Sequence, residues 1–119
     1  MPSKSRPPSA SHVLKYAAYL IERDGWCRAT DRKYSVKHDA WSRCATTAID
    51  DAAILLTKKI EVRARLLVGG NAIRLFANEV APGERGHLAS NIQIWNDTRI
   101  GLRKGLVAKR LRKAAQQGK

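Results

Sequence analysis

The side chains with the chemistry for nucleophilic, acid–base or metal-assisted catalysis are few: Cys27, Cys44, His12, His38, His87 and the adjacent carboxylates Asp50 and Asp51. Their spacing supports none of these reactions. Zinc needs ligands that converge, and these cysteines and histidines are scattered without paired spacing. A nucleophile built from Cys44 with His38 or His87 would need a lowered thiol pKa and access to solvent, whereas Cys44 falls on an apolar stripe. Asp50 and Asp51, consecutive on a helix, project about 100° apart and do not share a face. Gly69-Gly70-Asn71 lacks the Lys and the Ser or Thr of a phosphate-binding loop. The expectation is a non-enzymatic protein with no metal and no cofactor.

Charge is more informative. Lys and Arg total 23 against 10 Asp and Glu, a formal net charge of +13. Self-repulsion on this scale opposes a compact state, and an acidic partner is the usual reason a small protein carries it. Eight cations lie between Arg99 and Lys119 (Arg99, Arg103, Lys104, Lys109, Arg110, Arg112, Lys113 and Lys119), with no acidic residue among them. Lys58, Lys59, Arg63 and Arg65 form a second cluster. These two groups, Lys119 aside, are the expected nucleic-acid-binding residues. No Asn or Gln array suited to reading adenine accompanies them, apart from the terminal Gln116 and Gln117, so contacts are expected to be mainly with phosphate, on DNA or RNA.

The elements that position these groups follow from periodicity. Residues 1–10 are rich in Pro, Ser, Lys and Arg and are expected to form a flexible basic arm, with one helical domain over 11–119. Ser11 can cap a first helix, with Val13, Leu14, Ala17, Ala18 and Ile21 on one face and Gly25 as its stop. Trp26 to His38 is expected to be loop. Asp39 is a good N-cap for a second helix, whose stripe runs through Trp41, Cys44, Ala45, Ala48, Ile49, Ala52, Leu55 and Leu56.

Residues 60–76 support two patterns. Ile60 to Leu66 alternates as a strand does, and Gly69-Gly70-Asn71 could turn a hairpin. The helix formers there favour two short helices broken at Gly69-Gly70. After the Pro82-Gly83 turn a helix is expected with Leu88, Ile92 and Trp95 inward. Asn96, Asp97 and Thr98 then offer capping oxygens for a basic final helix over 99–116, with Ile100, Val107, Leu111 and Ala114 on one face. The expected fold is an all-α single-domain bundle of about four to five helices, with an α+β alternative if 60–76 forms a hairpin.

Three patches, Leu20-Ile21-Glu22-Arg23-Asp24-Gly25-Trp26, then Cys44-Ala45 with Ala48-Ile49 and Ala52, then Trp95-Asn96-Asp97, together resemble a small bacterial and phage-encoded family of unknown function. The resemblance implies a shared helical fold and brings no activity. Each patch also has a plain structural use: Trp26 and Trp95 as core cover, Cys44 as a small hydrophobe, Asp97 as a cap.

No run approaches the roughly 20 apolar residues of a membrane-spanning helix. The N-terminus lacks a secretory apolar stretch, so a cytoplasmic protein with reduced cysteines is expected. The expected partner is nucleic acid or an acidic protein, the alternative function being an interaction module such as a phage or mobile-element adaptor or inhibitor of a nucleic-acid enzyme. Anionic membrane surfaces rank lower, because the final helix lacks large aromatic residues.

Overall fold

Spacing of apolar residues decides most of the architecture. A computed structural model describes residues 8–58 and 62–118. In chain order these form α1 (Ala10–Asp24), β1 (Arg32–Ser35), β2 (Ala40–Arg43), α2 (Ala45–Leu56), α3 (Val62–Val80), α4 (Leu88–Thr98) and α5 (Lys104–Gln117). The fold is thus a small, mostly α-helical domain with one two-stranded hairpin. Helix α1 is the central element and packs against α2, α3 and α5. Its stripe Val13, Leu14, Ala17, Ala18, Leu20 and Ile21 is fully buried, as the three-and-four periodicity requires. Facing it are Ala48, Ile49 and Ala52 of α2, Phe76 of α3 and Val107 and Leu111 of α5. Small residues on α2 permit the close approach.

Ends of helices depart from the sequence-based expectations in instructive ways. Ser9, not Ser11, caps α1 by accepting from the His12 N–H. Ser11 is buried and donates to the Ala115 carbonyl at 2.6 Å, tying the start of α1 to the end of α5. Gly25 does stop α1, at φ 105°, and a Cβ there would press on Ser42 and His38. Of the expected arm, residues 1–7 lie outside the described residues, and Ala10 already belongs to α1.

The segment expected to be loop contains β1, and the expected start of the second helix is β2. Arg32 pairs with Arg43, Lys33 with Ser42, Tyr34 with Trp41 and Ser35 with Ala40. Asp39 caps no helix; it takes the left-handed conformation at φ 49° in the hairpin turn, a conformation Asp tolerates better than most residues. Trp41 is not on a buried helical stripe: it is 58% exposed and packs edge-to-face on Tyr34 across the strands. Helix α2 begins only at Ala45.

Neither the hairpin nor the helix break expected at 60–76 is found among the described residues. Helix α3 runs unbroken through Gly69-Gly70, with Gly69 lying close against Ala53 of α2. Propensity loses there to tertiary packing, since Val68, Ala72 and Phe76 hold α3 in the core on either side of the glycines, and a Cβ at Gly69 would make only an ordinary contact with Ala53. The expected helix over 99–116 also starts later. Asn96, Asp97 and Thr98 complete α4, Arg99 is its C-cap, and the chain turns at Gly101 (φ 84°) before α5 begins at Lys104. Ile100, expected on the buried face, is 93% exposed in that turn, while Val107, Leu111 and Ala114 are buried as their spacing predicts. No helix among the described residues is long and apolar enough to cross a membrane.

Candidate functional site

The three sequence patches meet at one buried amide. Asn96, fully buried on α4, accepts through Oδ1 from the Trp26 indole N–H at 2.7 Å and from the Ala45 backbone N–H at 3.0 Å. Its Nδ2 donates to the Cys27 carbonyl at 3.1 Å and to Asp97 Oδ1 at 2.9 Å. Cys44, the N-cap residue of α2, makes no side-chain cap bond, so Asn96 supplies the capping oxygen from across the fold. Asp97 in turn accepts from the Ala29 N–H at 2.8 Å and from Gln93. Burial works against this carboxylate, but those donors hold its pKa below the usual range. Arg28 closes the junction by donating to the Asp97 and Arg99 carbonyls. The side-chain polar atoms of Trp26, Asn96 and Asp97 are all bonded within the fold, so this constellation is an architectural joint.

A second network fixes the hairpin. Arg43 donates to Asp24 at 2.6 Å and to Asp51 at 2.7 Å, while Arg32 forks onto Asp51 and Arg23 onto Asp24. Hydrogen bonds from Arg23 and then Arg43 lower the Asp24 pKa to about 2. Strand β2 is thereby pinned to α1 and α2.

The candidate catalytic groups stay apart. Burial pushes the Cys27 thiol pKa up, and its S–H donates to the Thr30 carbonyl. Cys44 is buried with Thr46, Thr47 and Gln93 as its hydrogen-bonding neighbours, not His38 or His87. His87 caps α4. Among the described residues no group of three His, Cys, Asp or Glu side chains is placed to hold a metal ion.

The expected cationic residues divide into groups with different fates. Arg110 pairs with Glu79 at 2.7 Å, Lys113 approaches the same carboxylate at 3.8 Å, and Arg112 forks onto Glu22 at 2.6 Å. The hydrogen bonds from Arg112 lower the Glu22 pKa. Carboxylates from α1 and α3 therefore supply the partners that the tail lacks in its own sequence. Arg65 is also committed, donating to Thr57 Oγ1 and to the Thr57 carbonyl at the end of α2. Lys58 and Arg63 are exposed, and Lys59 lies outside the described residues. Arg63 precedes Glu79 by sixteen residues on α3, about 24 Å along the axis, so the second cluster does not extend the α5 surface as expected. Lys109 is exposed on α5, and Arg99 sits in the linker before it.

Arg103 and Lys104 behave differently: they line a cleft of about 420 Å³ between the hairpin and the start of α5, together with Lys33, Lys37 and His38. Lys104 donates to His38 Nε2 at 3.1 Å and lies 3.5 Å from the Glu22 carbonyl at the end of α1. An ammonium has only protons to give, so His38 accepts at Nε2 and carries its proton on Nδ1, which donates to Ser35 Oγ at 2.8 Å. No carboxylate lines the cleft. Helix α5 begins with Arg103 as N-cap, Lys104 as first residue, no side-chain cap bond and no acid in its first turn. Its unsatisfied N–H groups and positive dipole end thus open beside four cationic side chains. Lys33 and Lys37 were missed in the sequence because they fall in a segment expected to be loop; recognising the Arg32–Ser35 and Ala40–Arg43 pairing was the signal that would have joined them to Lys104.

No curated protein and no solved structure matches this chain. A family model described as a family of unknown function (DUF6197) matches residues 5–117, so the chain belongs to that uncharacterised family.

Proposed function

We propose that this protein is a non-catalytic module that binds nucleic acid, chiefly through the phosphate backbone, and that it acts in the cytoplasm. The observation that carries the reading is the start of α5. A helix N-terminus that begins at Arg103 and Lys104, with no side-chain cap and no acid in its first turn, opens on a cleft that also holds Lys33 and Lys37 and no carboxylate. Like charges and a helix dipole of the same sign repel one another there, and an anion removes that cost. Lys109 and Arg99 are exposed but lie outside the cleft, Lys109 on α5 beside Arg112 and Glu22. The test is an affinity titration of labelled oligonucleotides at low salt, comparing wild type with a variant carrying Lys33→Gln, Lys37→Gln, Arg103→Gln and Lys104→Gln. The quadruple variant should lose most of its binding; equal affinity for the two proteins would remove the cleft from the account.

A second reading, an adaptor or inhibitor of phage or mobile-element origin that binds another protein, is favoured by one separate observation. Ile54 and Leu55 of α2 and Val62, Leu66 and Leu67 of α3, on two helices that pack together, are all more than a third exposed. Co-purification of one stoichiometric protein, with no affinity for oligonucleotides, would favour it.

A further inference from the structure

The hairpin that roofs the cleft carries two exposed aromatic rings, one of which, Tyr34, is tied by its hydroxyl to Asp39 in the hairpin turn. Tyr34 and Trp41 are 45% and 58% exposed and stack edge-to-face with centroids 5.6 Å apart. Alternation along β1 sends consecutive side chains to opposite faces, so the Tyr34 ring lies with Trp41 on the face away from Lys33, while Tyr34 also borders the cleft. The two faces meet along the outer edge of β1. Strand β2 is occupied on both sides, by β1 and by the Gly25–Cys27 segment, through hydrogen bonds of Arg43 with Gly25 and Cys27. Among the described residues nothing pairs with β1 on its other side, and Arg32, Lys33 and Tyr34 are exposed there.

We infer that the ligand is a single-stranded nucleic acid, which crosses the open edge of β1 with its phosphates in the cationic cleft and a base stacked on Trp41 and Tyr34. This rests on the phosphate-binding reading above and adds the strandedness of the ligand. A flexible single strand can place charge on one face of a thin hairpin and a base on the other. A duplex cannot, because its bases are paired and stacked inside a rigid rod. The helix that a duplex would accept in its major groove is α5, and there Arg110 and Arg112 are already held by Glu79 and Glu22. Exposed aromatic rings beside a cationic groove are what sequence-tolerant single-strand binding uses, each stacked base carrying part of the affinity. An extended peptide adding to the β1 edge is the competing occupant. Arg32 and Lys33 on a four-residue edge strand work against it, since charged short edges are how sheets resist strand addition.

The test uses the full chain, a fluorescein-labelled oligothymidylate of about twelve nucleotides and a duplex of equal length. Wild type should bind the single strand at least about tenfold more tightly than the duplex. Trp41→Ala should weaken single-strand binding by about five- to a hundredfold and duplex binding less than about twofold, and Trp41→Phe should recover most of the loss. Retention of the wild-type circular dichroism spectrum by both variants shows that the hairpin change is local. If Trp41→Ala leaves single-strand affinity unchanged while the quadruple cleft variant still loses it, the single-strand inference falls and the phosphate-binding reading stands. If neither oligonucleotide binds at low salt, both fall, and an edge-binding peptide becomes the occupant to pursue.

Discussion

The outer face of α5 and the cleft at its N-terminus carry the same kinds of side chain, and the fold treats them in opposite ways. On the outer face Arg110, Arg112 and Lys113 reach Glu79 and Glu22, which come from α3 and α1. In the cleft Arg103, Lys104, Lys33 and Lys37 gather with no carboxylate among the lining residues. Glu79 is 4% exposed in its side chain, so its cationic partners answer a structural need. Positive charge density in sequence is therefore a poor guide to a binding surface. What matters is whether acids from elsewhere in the fold reach the same place.

Charge reversal in the cleft should separate the two regions most strongly. Arg103→Glu with Lys104→Glu places two acids at the N-terminus of α5, where the helix dipole favours them, against the loss of the Lys104 bonds to His38 and the Glu22 carbonyl, so the net change in stability should stay within about 1 kcal/mol. Oligonucleotide affinity at about 0.15 M salt should fall by about a hundredfold or more, as expected when several phosphate contacts are replaced by repulsion. Calorimetry and anisotropy on the same samples check both halves.

The outer face should show the reverse pattern. Arg110→Gln with Lys113→Gln leaves the buried Glu79 carboxylate without its cations, which should cost about 2 kcal/mol of unfolding free energy. Affinity should change less than about threefold. Urea unfolding followed by circular dichroism measures the first effect. A large loss of affinity with unchanged stability would show that these residues serve a ligand instead.

Acid titration probes the anchoring of the hairpin that roofs the cleft. The Asp24 carboxylate titrates at about 2 in the folded chain because Arg23 and Arg43 donate to it, against an ordinary value of 3.8. A depressed folded pKa means the unfolded chain takes up the proton first. The stabilisation, about 2 kcal/mol, is therefore complete above pH 4 and lost as pH falls towards 2. Asp24→Asn should flatten that part of the stability curve. The smallest expected effect lies far from both regions: Gly70→Ala in the exposed, uninterrupted part of α3 should stabilise by about 0.5–1 kcal/mol without altering affinity, because a Cβ there meets nothing within 4 Å.

The helical part of the fold was legible wherever a stripe was long. Val13 to Ile21, Ala45 to Ala52 and Val107 to Ala114 are buried as their spacing requires. Short or tertiary features were not. Strands β1 and β2 are four residues each, too short for alternation to stand out, and Asp39 reads equally as a cap or a turn residue. The residues Asn96 to Thr98 look like caps for a following helix, yet they end the preceding one, and the cap that Asn96 makes serves α2, 51 residues away in sequence. Of the candidate site, Arg103 and Lys104 were visible as part of a cationic tail. Their companions Lys33 and Lys37 were not, since only the hairpin brings them together. The pairing of Arg110 and Arg112 was equally hidden, because Glu79 and Glu22 are distant in the chain.

The most direct test is the salt dependence of oligonucleotide binding in three proteins: wild type, the four-Gln cleft variant, and Arg110→Gln with Arg112→Gln and Lys113→Gln. Each phosphate contact contributes about 0.7 to 0.9 to the slope of log K against log salt. The cleft variant should lose about 2 to 4 from the wild-type slope and the α5 variant less than about 1. Equal losses in both, or a larger loss in the α5 variant, would contradict the assignment of ligand binding to the cleft.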